Sequence, residues 1–218
     1  MNKSDLFKFD KEKIASFNYL IGTDEAGRGP GAGPVYSAAV CFTKIDNELK
    51  KQLLKVNDSK QLSEQVREEL FDVVKGCSVY SIASSSVEEI EKLNILNASL
   101  LSMKRACDDV LAQLKTSNAK ILVDGNKLVP DKSYNQEFVI KGDSKSLSIA
   151  AASILAKVSR DRFMNQLAKE FPQYVWEKNK GYLTPDHLAA IDEFGTTKWH
   201  RKKFLEKHFE KATQLSLL

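Results

Sequence analysis

The chain has 218 residues, of which 42% are apolar and 28% charged, with Gly 10 and Pro 5. That composition supports a buried core and excludes disordered, collagen-like and low-complexity classes. No apolar stretch approaches the ~20 residues of a membrane span, the first ten residues lack a secretory hydrophobic region, and three scattered cysteines (Cys41, Cys77, Cys107) form neither a disulfide framework nor a zinc-ligand spacing, so a cytoplasmic protein is expected. The net charge of +4 is unevenly spread: residues 1–140 carry −1 and residues 141–218 carry +5. A basic C-terminal third can follow the phosphates of a polyanion, although a solvated helix surface has the same composition.

The elements follow in chain order. Residues 18–24 read as a short apolar strand ending in Asp24, and a Gly- and Pro-rich turn runs from Ala26 to Pro34. Val35–Phe42 reads as a second strand, the hairpin partner of the first. Ser63 is placed to N-cap a helix over 64–75, with Val66, Leu70, Val73 and Val74 on one face. Val79–Ala83 is a third strand. Ser86-Val87-Glu88-Glu89 is a capping box, and its apolar spacing predicts one long helix to about Leu114. Ile121–Asp124 and Phe138–Ile140 are short strands, the second followed by Asp143. Leu147 to about Phe171 is helical, and Pro172 follows its end. Thr184-Pro185 opens a helix to about Phe194, Gly195 stops it, and a basic helix closes the chain. This order predicts an α/β layer with a mixed sheet and helices on its faces.

Three strand-like segments lead into acids: Asp24-Glu25, Asp124, and Asp143. Singly, each reads as a turn or cap carboxylate. Burying a lone carboxylate at a strand end is costly, and the cost falls when several such acids converge on a hard divalent cation that prefers oxygen ligands. Two such ions about 4 Å apart stabilise the attacking and leaving oxygens of a phosphodiester displacement. Neighbouring strand residues point to opposite faces, so Asp24 and Glu25 share a site only if the strand bends or ends there, or if Glu25 contributes its backbone carbonyl.

Gly27-Arg28-Gly29-Pro30-Gly31-Ala32 matches a variant of the dinucleotide fingerprint, but a strand follows where a helix is required, so that reading fails. A loop so poor in side chains still admits a substrate close to the main chain, and Arg28 can hold a phosphate.

Gly22-Thr23-Asp24-Glu25-Ala26-Gly27-Arg28-Gly29-Pro30 closely resembles the signature of the type 2 ribonuclease H (ribonuclease HII) family. Further blocks resemble the family in order: Asn57-Asp58-Ser59-Lys60, Leu93-Asn94-Ile95-Leu96, Val123-Asp124-Gly125-Asn126, Lys141-Gly142-Asp143-Ser144, Ser148 to Val158 with Arg160-Asp161, Lys180-Gly181-Tyr182 with Thr184 and His187, and His200-Arg201 with Phe204. Gly31 stands where the family usually has a bulkier residue, Leu183 where Gly is frequent, and Lys203 where Ser is common.

The resemblance implies a ribonuclease H-like mixed sheet flanked by helices with a small helical C-terminal part: residues 1–18 an N-terminal extension, 19–172 the catalytic domain, 173–218 a substrate-binding part. It implies hydrolysis of the RNA strand of RNA–DNA hybrids and incision 5′ of single ribonucleotides embedded in duplex DNA, leaving 3′-hydroxyl and 5′-phosphate ends. Asp24, Glu25, Asp124 and Asp143 would bind Mg²⁺ or Mn²⁺, with Gly27, Arg28 and Gly29 recognising the 2′-hydroxyl, Tyr182 stacking on the neighbouring deoxyribose and Lys60 contacting a phosphate. Asp161 reads as a helix-surface or capping partner, and His187 and His200 as structural, since Mg²⁺ prefers oxygen. A non-catalytic hybrid-binding module is the alternative; four anions facing a polyanion argue against it. The enzyme is expected to act as a monomer, with the tail Gln214-Leu215-Ser216-Leu217-Leu218 a candidate contact for a replication clamp.

Overall fold

The computed structural model describes residues 4–45, 51, 53 and 63–215. The chain runs α1 (Ser4–Ile14), β1 (Tyr19–Ala26), β2 (Val35–Cys41), α2 (Glu64–Cys77), β3 (Val79–Ser85), α3 (Val87–Leu93), α4 (Ile95–Leu114), β4 (Ala119–Asp124), β5 (Asn135–Val139), α5 (Leu147–Glu170), α6 (Trp176–Asn179), α7 (Pro185–Phe194) and α8 (Lys202–Leu215). Single 3₁₀ turns at Gly142–Ser144 and Pro172–Tyr174 flank α5. No helix among the described residues is long and apolar enough to cross a membrane.

The strands form one sheet in the order β3-β2-β1-β4-β5. The hairpin β1–β2 and its neighbour β3 pair antiparallel, while β1–β4 and β4–β5 pair parallel, giving the expected mixed sheet. Strand alternation divides β1 between two layers. Ile21 faces α4, where it packs with Ala39, Cys41, Met103, Cys107, Val110, Ile121 and Val123. Leu20 faces the other side, with Leu122, Val139 and Ile149 of α5. Gly22 is where α5 crosses closest: a Cβ there would overlap the backbone of Ser148 and Ile149.

Helix starts follow the sequence. Ser63 accepts from the Val66 amide, Ser86 and Glu89 complete a reciprocal capping box, and Thr184 accepts from the His187 amide. The long helix expected over 86–114 is instead two. Asn94 takes φ 68°, ends α3, and caps α4 through its side-chain oxygen, which accepts from the Asn97 amide at 3.1 Å. Asn is among the residues that tolerate positive φ, and the break lets Ile90 and Ala98 close a small core over Val35.

The N-terminal segment has a structure that its polar composition did not announce. Helix α1 docks on the start of α5, where the Asp10 carboxylate accepts from the Ser148 amide at 2.9 Å and hydroxyl at 2.7 Å. Past Pro172, residues of α6, α7 and α8 gather around the far end of α5 in a separate core holding Met164, Leu167, Tyr174, Trp176, Ile191 and Leu205. The segment containing Asn57, Asp58, Ser59 and Lys60 lies outside the described residues, as do Ser216–Leu218 of the tail.

Gly22→Ala is expected to lower stability by about 3 kcal/mol, because the methyl group meets backbone that cannot move without shifting all of α5. Urea unfolding read as a lowered midpoint at unchanged slope would measure this.

Candidate active site

The register of two parallel strands builds the site. Thr23 lies opposite Val123, so the next residues along each strand, Asp24 and Asp124, end side by side on the α5 face of the sheet. Asp124 in turn pairs with Val139, after which the chain turns through Lys141 (φ 55°) into the turn that carries Asp143. The Gly142 amide donates to Asp124 Oδ1 at 2.6 Å, which ties the third acid segment to the second.

Asp24 is 5% exposed. Its Oδ1 accepts the Glu25 amide at 2.7 Å, and Ser153 of α5 donates to its carboxylate. Burial, followed by the charges of Glu25 and Asp124, nevertheless holds its pKa well above the usual carboxylate range. Three carboxylates therefore crowd one end of the sheet. Asp24, Glu25 and Asp124 all line one open cleft of about 440 Å³. Since β1 ends at Ala26, both members of the Asp24-Glu25 pair reach it. Asp143 is also buried, at 9% exposure, on the turn behind the Gly142 amide, and does not line the cleft. The donor set is all oxygen, which suits a hard divalent cation. Among the described residues no group of three His, Cys, Asp or Glu side chains is placed to hold an ion by itself.

The opposite wall is the turn Gly27-Arg28-Gly29 with Tyr182. Arg28 Nη1 donates to Glu25 Oε1 at 3.3 Å. The Tyr182 ring, 52% exposed, stands against Gly29, where an added Cβ would lie 3.2 Å from its Cε1. Gly27 has φ +105°, and a side chain there would strike the Arg160 guanidinium. Beneath the turn lie two buried arginines, Arg160 at 1% and Arg201 at 0% exposure. Burial pulls their pKa values down to about 10 and about 9, Arg201 further by the charge of Arg160; both stay cationic at neutral pH.

Tyr182 is positioned from below by two histidines. The Thr197 amide donates to His200 Nδ1 at 2.9 Å, leaving the proton of His200 on Nε2. That nitrogen meets His187 Nε2 at 3.1 Å, which also accepts from Trp176 Nε1 at 3.0 Å. His187 therefore carries its proton on Nδ1 and donates it to the Tyr182 carbonyl at 2.9 Å. The network closes only if both rings are neutral, and the two histidines are structural, as expected.

These features agree with what the chain resembles. A family model described as ribonuclease HII matches residues 21–212. The chain belongs to the ribonuclease HII family. The ribonuclease HII of Pelagibacter ubique (strain HTCC1062) is 53% identical over 185 residues, covering 85% of this chain and 95% of that protein. That of Fusobacterium nucleatum subsp. nucleatum is 47% identical over 206 residues, covering 94% and 92%. Among solved structures, the PCNA:RNase HII complex from Archaeoglobus fulgidus matches with TM-score 0.66 at 25% identity, over 84% of this chain and 93% of that one. Bst-RNase HIII in complex with Mn²⁺ shares the fold, with TM-score 0.65 at 19% identity over 84% and 66%. The chain is accordingly an endonuclease of the ribonuclease H type.

Two departures from the ribonuclease HII pattern turn out to be one. A Cβ on Gly31 would lie 2.5 Å from Leu183 Cδ2, so the side chain of Leu183 fills the space that a bulkier residue at position 31 would need. Lys203, the third, ties α8 to α3 by donating to the Glu91 carbonyl at 3.0 Å. Asp161 is buried and ion-paired with Lys157 at 2.7 Å rather than lying on a helix surface, because α5 is covered on that side. Arg67, Ser153, Lys157 and Arg160 also line the cleft and had no assigned role in the sequence reading. Ser153 alone carries a usable signal: it lies four residues past Ile149, about one helical turn along the face that crosses β1.

His200 has its pKa pushed down to about 4 by burial and then by His187, from an ordinary 6.5. The unfolded chain therefore takes up the proton first. Stability is full above about pH 6.5 and falls by about 3 kcal/mol as pH drops toward 4. Thermal unfolding at pH 7 and pH 4.5 should show a smaller pH-dependent loss for His200→Gln than for the unsubstituted protein; equal losses would contradict a neutral buried pair.

Proposed function

We propose that this enzyme hydrolyses the RNA strand of RNA–DNA hybrids and incises 5′ of single ribonucleotides embedded in duplex DNA, leaving 3′-hydroxyl and 5′-phosphate ends. The observation that carries this reading is that Asp24 and Asp124, each one step past the paired Thr23 and Val123, line the same cleft as the side-chain-poor turn Gly27-Arg28-Gly29. Only the 2′-hydroxyl distinguishes RNA from DNA at a given sugar, and a turn of this kind admits the sugar to within hydrogen-bonding range of the main chain.

In this reading Asp24, Glu25, Asp124 and Asp143 hold Mg²⁺ or Mn²⁺ in a two-metal site. Bound divalent cations would supply charge stabilisation for the attacking and leaving oxygens. The chain's own groups orient the substrate. Arg28, 47% exposed in its side chain, meets a phosphate, and the Tyr182 ring stacks on the deoxyribose beside the ribonucleotide. Lys60 contacts a more distant phosphate. The helical C-terminal part, residues 173–218, supports the duplex with its basic surface, and the enzyme works as a cytoplasmic monomer. The Archaeoglobus fulgidus relative was solved as a PCNA complex, which supports a replication clamp as a partner for the C-terminal tail. A pure hybrid-binding module gains nothing from three carboxylates crowded against a polyanion.

Asp24→Asn and Asp124→Asn should each lower cleavage of a duplex carrying one ribonucleotide by about 10³-fold, the several kcal/mol expected for lost transition-state charge stabilisation, with duplex affinity nearly unchanged. Cleavage should stop in EDTA and return with Mg²⁺ or Mn²⁺; end mapping then tests the 3′-hydroxyl and 5′-phosphate assignment. Tyr182→Ala should reduce cleavage at a single embedded ribonucleotide while leaving the thermal midpoint within about 2 °C, since an exposed side chain carries little stability. Unchanged cleavage would remove Tyr182 from the site.

A further inference from the structure

Arg160 and Arg201 are deeply buried, yet the hydrogen bonds of their guanidinium groups go to main-chain carbonyls. Arg201 donates from Nε to Gly33 O at 2.8 Å, from Nη1 to Pro30 O at 2.7 Å and Arg28 O at 3.3 Å, and from Nη2 to Gly27 O at 2.7 Å. Arg160 donates from Nε to Pro34 O at 3.1 Å, from Nη2 to Ala32 O at 3.0 Å, and from Nη1 to Lys180 O at 2.9 Å. The Gly31 carbonyl accepts the backbone amide of Arg201 at 2.8 Å. Of the eight carbonyls from Gly27 to Pro34, all but that of Gly29 are thus turned inward onto these two residues.

Burying a cation costs several kcal/mol even after relaxation, and a loop needing only stability would be better served by apolar filling. The two guanidinium groups instead determine which backbone edge the turn shows to the cleft. With the Gly27 and Arg28 carbonyls drawn down onto Arg201, the main-chain edge left for the cleft that these residues line with Asp24 and Asp124 is that of the amides. The amides on the far side of the turn are committed elsewhere: Gly31 and Ala32 to the Gly181 carbonyl at 2.9 and 3.2 Å, and Gly33 to Trp199 at 2.8 Å. Arg160 also joins the Lys180 carbonyl to the turn, which couples it to the segment bearing Tyr182.

We propose that Arg160 and Arg201 are positioning residues for ribose discrimination: without touching substrate, they orient the Gly27–Gly29 main chain so that the enzyme tells a ribonucleotide from a deoxyribonucleotide. The inference rests on the reading of this turn as the 2′-hydroxyl site. Lysine at either position keeps the charge but not the fork, since a single ammonium cannot span the carbonyls of the three residues that Arg160 reaches or the four that Arg201 reaches. Retaining charge therefore does not retain function.

The test compares Asp124→Asn with the double variant Asp124→Asn/Arg201→Lys, measuring affinity for a duplex with one ribonucleotide and for the all-DNA duplex of the same sequence. The single variant should favour the ribonucleotide duplex. The double variant should lose about tenfold or more of that duplex's affinity, the equivalent of one charge-assisted hydrogen bond, and bind both duplexes alike, with all-DNA affinity unchanged. A retained preference, or an equal loss on both duplexes, overturns the positioning role. If Asp124→Asn alone shows no preference, the 2′-hydroxyl reading fails and takes this inference with it. Should Arg201→Lys unfold, Arg160→Lys, which leaves the four Arg201 bonds in place, carries the same comparison. In it, hydrogen exchange at residues 31–33 should quicken while that of β1 and β4 stays the same; unchanged exchange at 31–33 also overturns the proposal.

Discussion

Asp24 and Asp124 are forced into proximity by the register of β1 on β4, and the rest of the site is arranged around that repulsion. The two acids lie on the same face, each one step past Thr23 and Val123, the last residues paired between these strands. Neither carboxylate can leave without breaking the sheet. Neutral donors soften the contact: the Glu25 amide and Ser153 at Asp24, and the Gly142 amide at Asp124. They do not remove it: burial first, and then the charges of Glu25 and Asp124, hold the Asp24 pKa well above the usual carboxylate range. Like charges kept together at the mouth of a cleft, with an all-oxygen donor set, suit a hard divalent cation, in line with the function proposed above.

Helix α5 transmits this arrangement to the opposite wall. It runs along β1 and beyond its end, meeting Gly22 with Ser148 and Ile149, Asp24 with Ser153, Gly27 with Arg160 and Gly33 with Met164. One rigid element therefore sets the acids and the turn relative to each other. The far end of α5 belongs to the core of the C-terminal helices, and Arg201, His187 and His200 extend from those helices back beneath the turn and Tyr182. The turn is held between a sheet-bound helix and a separately packed helical unit. This is why residues distant in the chain share one wall.

Local signals were read correctly where the physics is local. Strand alternation, the Ser63, Ser86 and Thr184 caps, the Pro172 stop and the acids closing apolar runs all depend on neighbours within a few residues. The break at Asn94 escaped because the apolar period continues through it, and only the small core over Val35 explains the kink. Helix α1 escaped because its few apolar residues find their partners far along the chain, Leu6 in the core with Leu70, Phe71 and Leu147, and Phe9 and Ile14 against Leu20 and Ile149. Gly31 and Leu183 looked like two separate departures from a pattern until their contact showed that one fills the other's space.

The succession of elements along the chain, the mixed sheet and the family were legible in the sequence alone, because alternation, capping and motif spacing are carried by consecutive residues. Which acids line the cleft and which lies behind it, the neutral pairing of His187 with His200, and the burial of Arg160 and Arg201 under the turn were decided only by tertiary structure. Those outcomes depend on strand register and on the path of α5, which bring together groups up to 174 residues apart. A lone Arg or His in the chain shows nothing of the carbonyls it will meet.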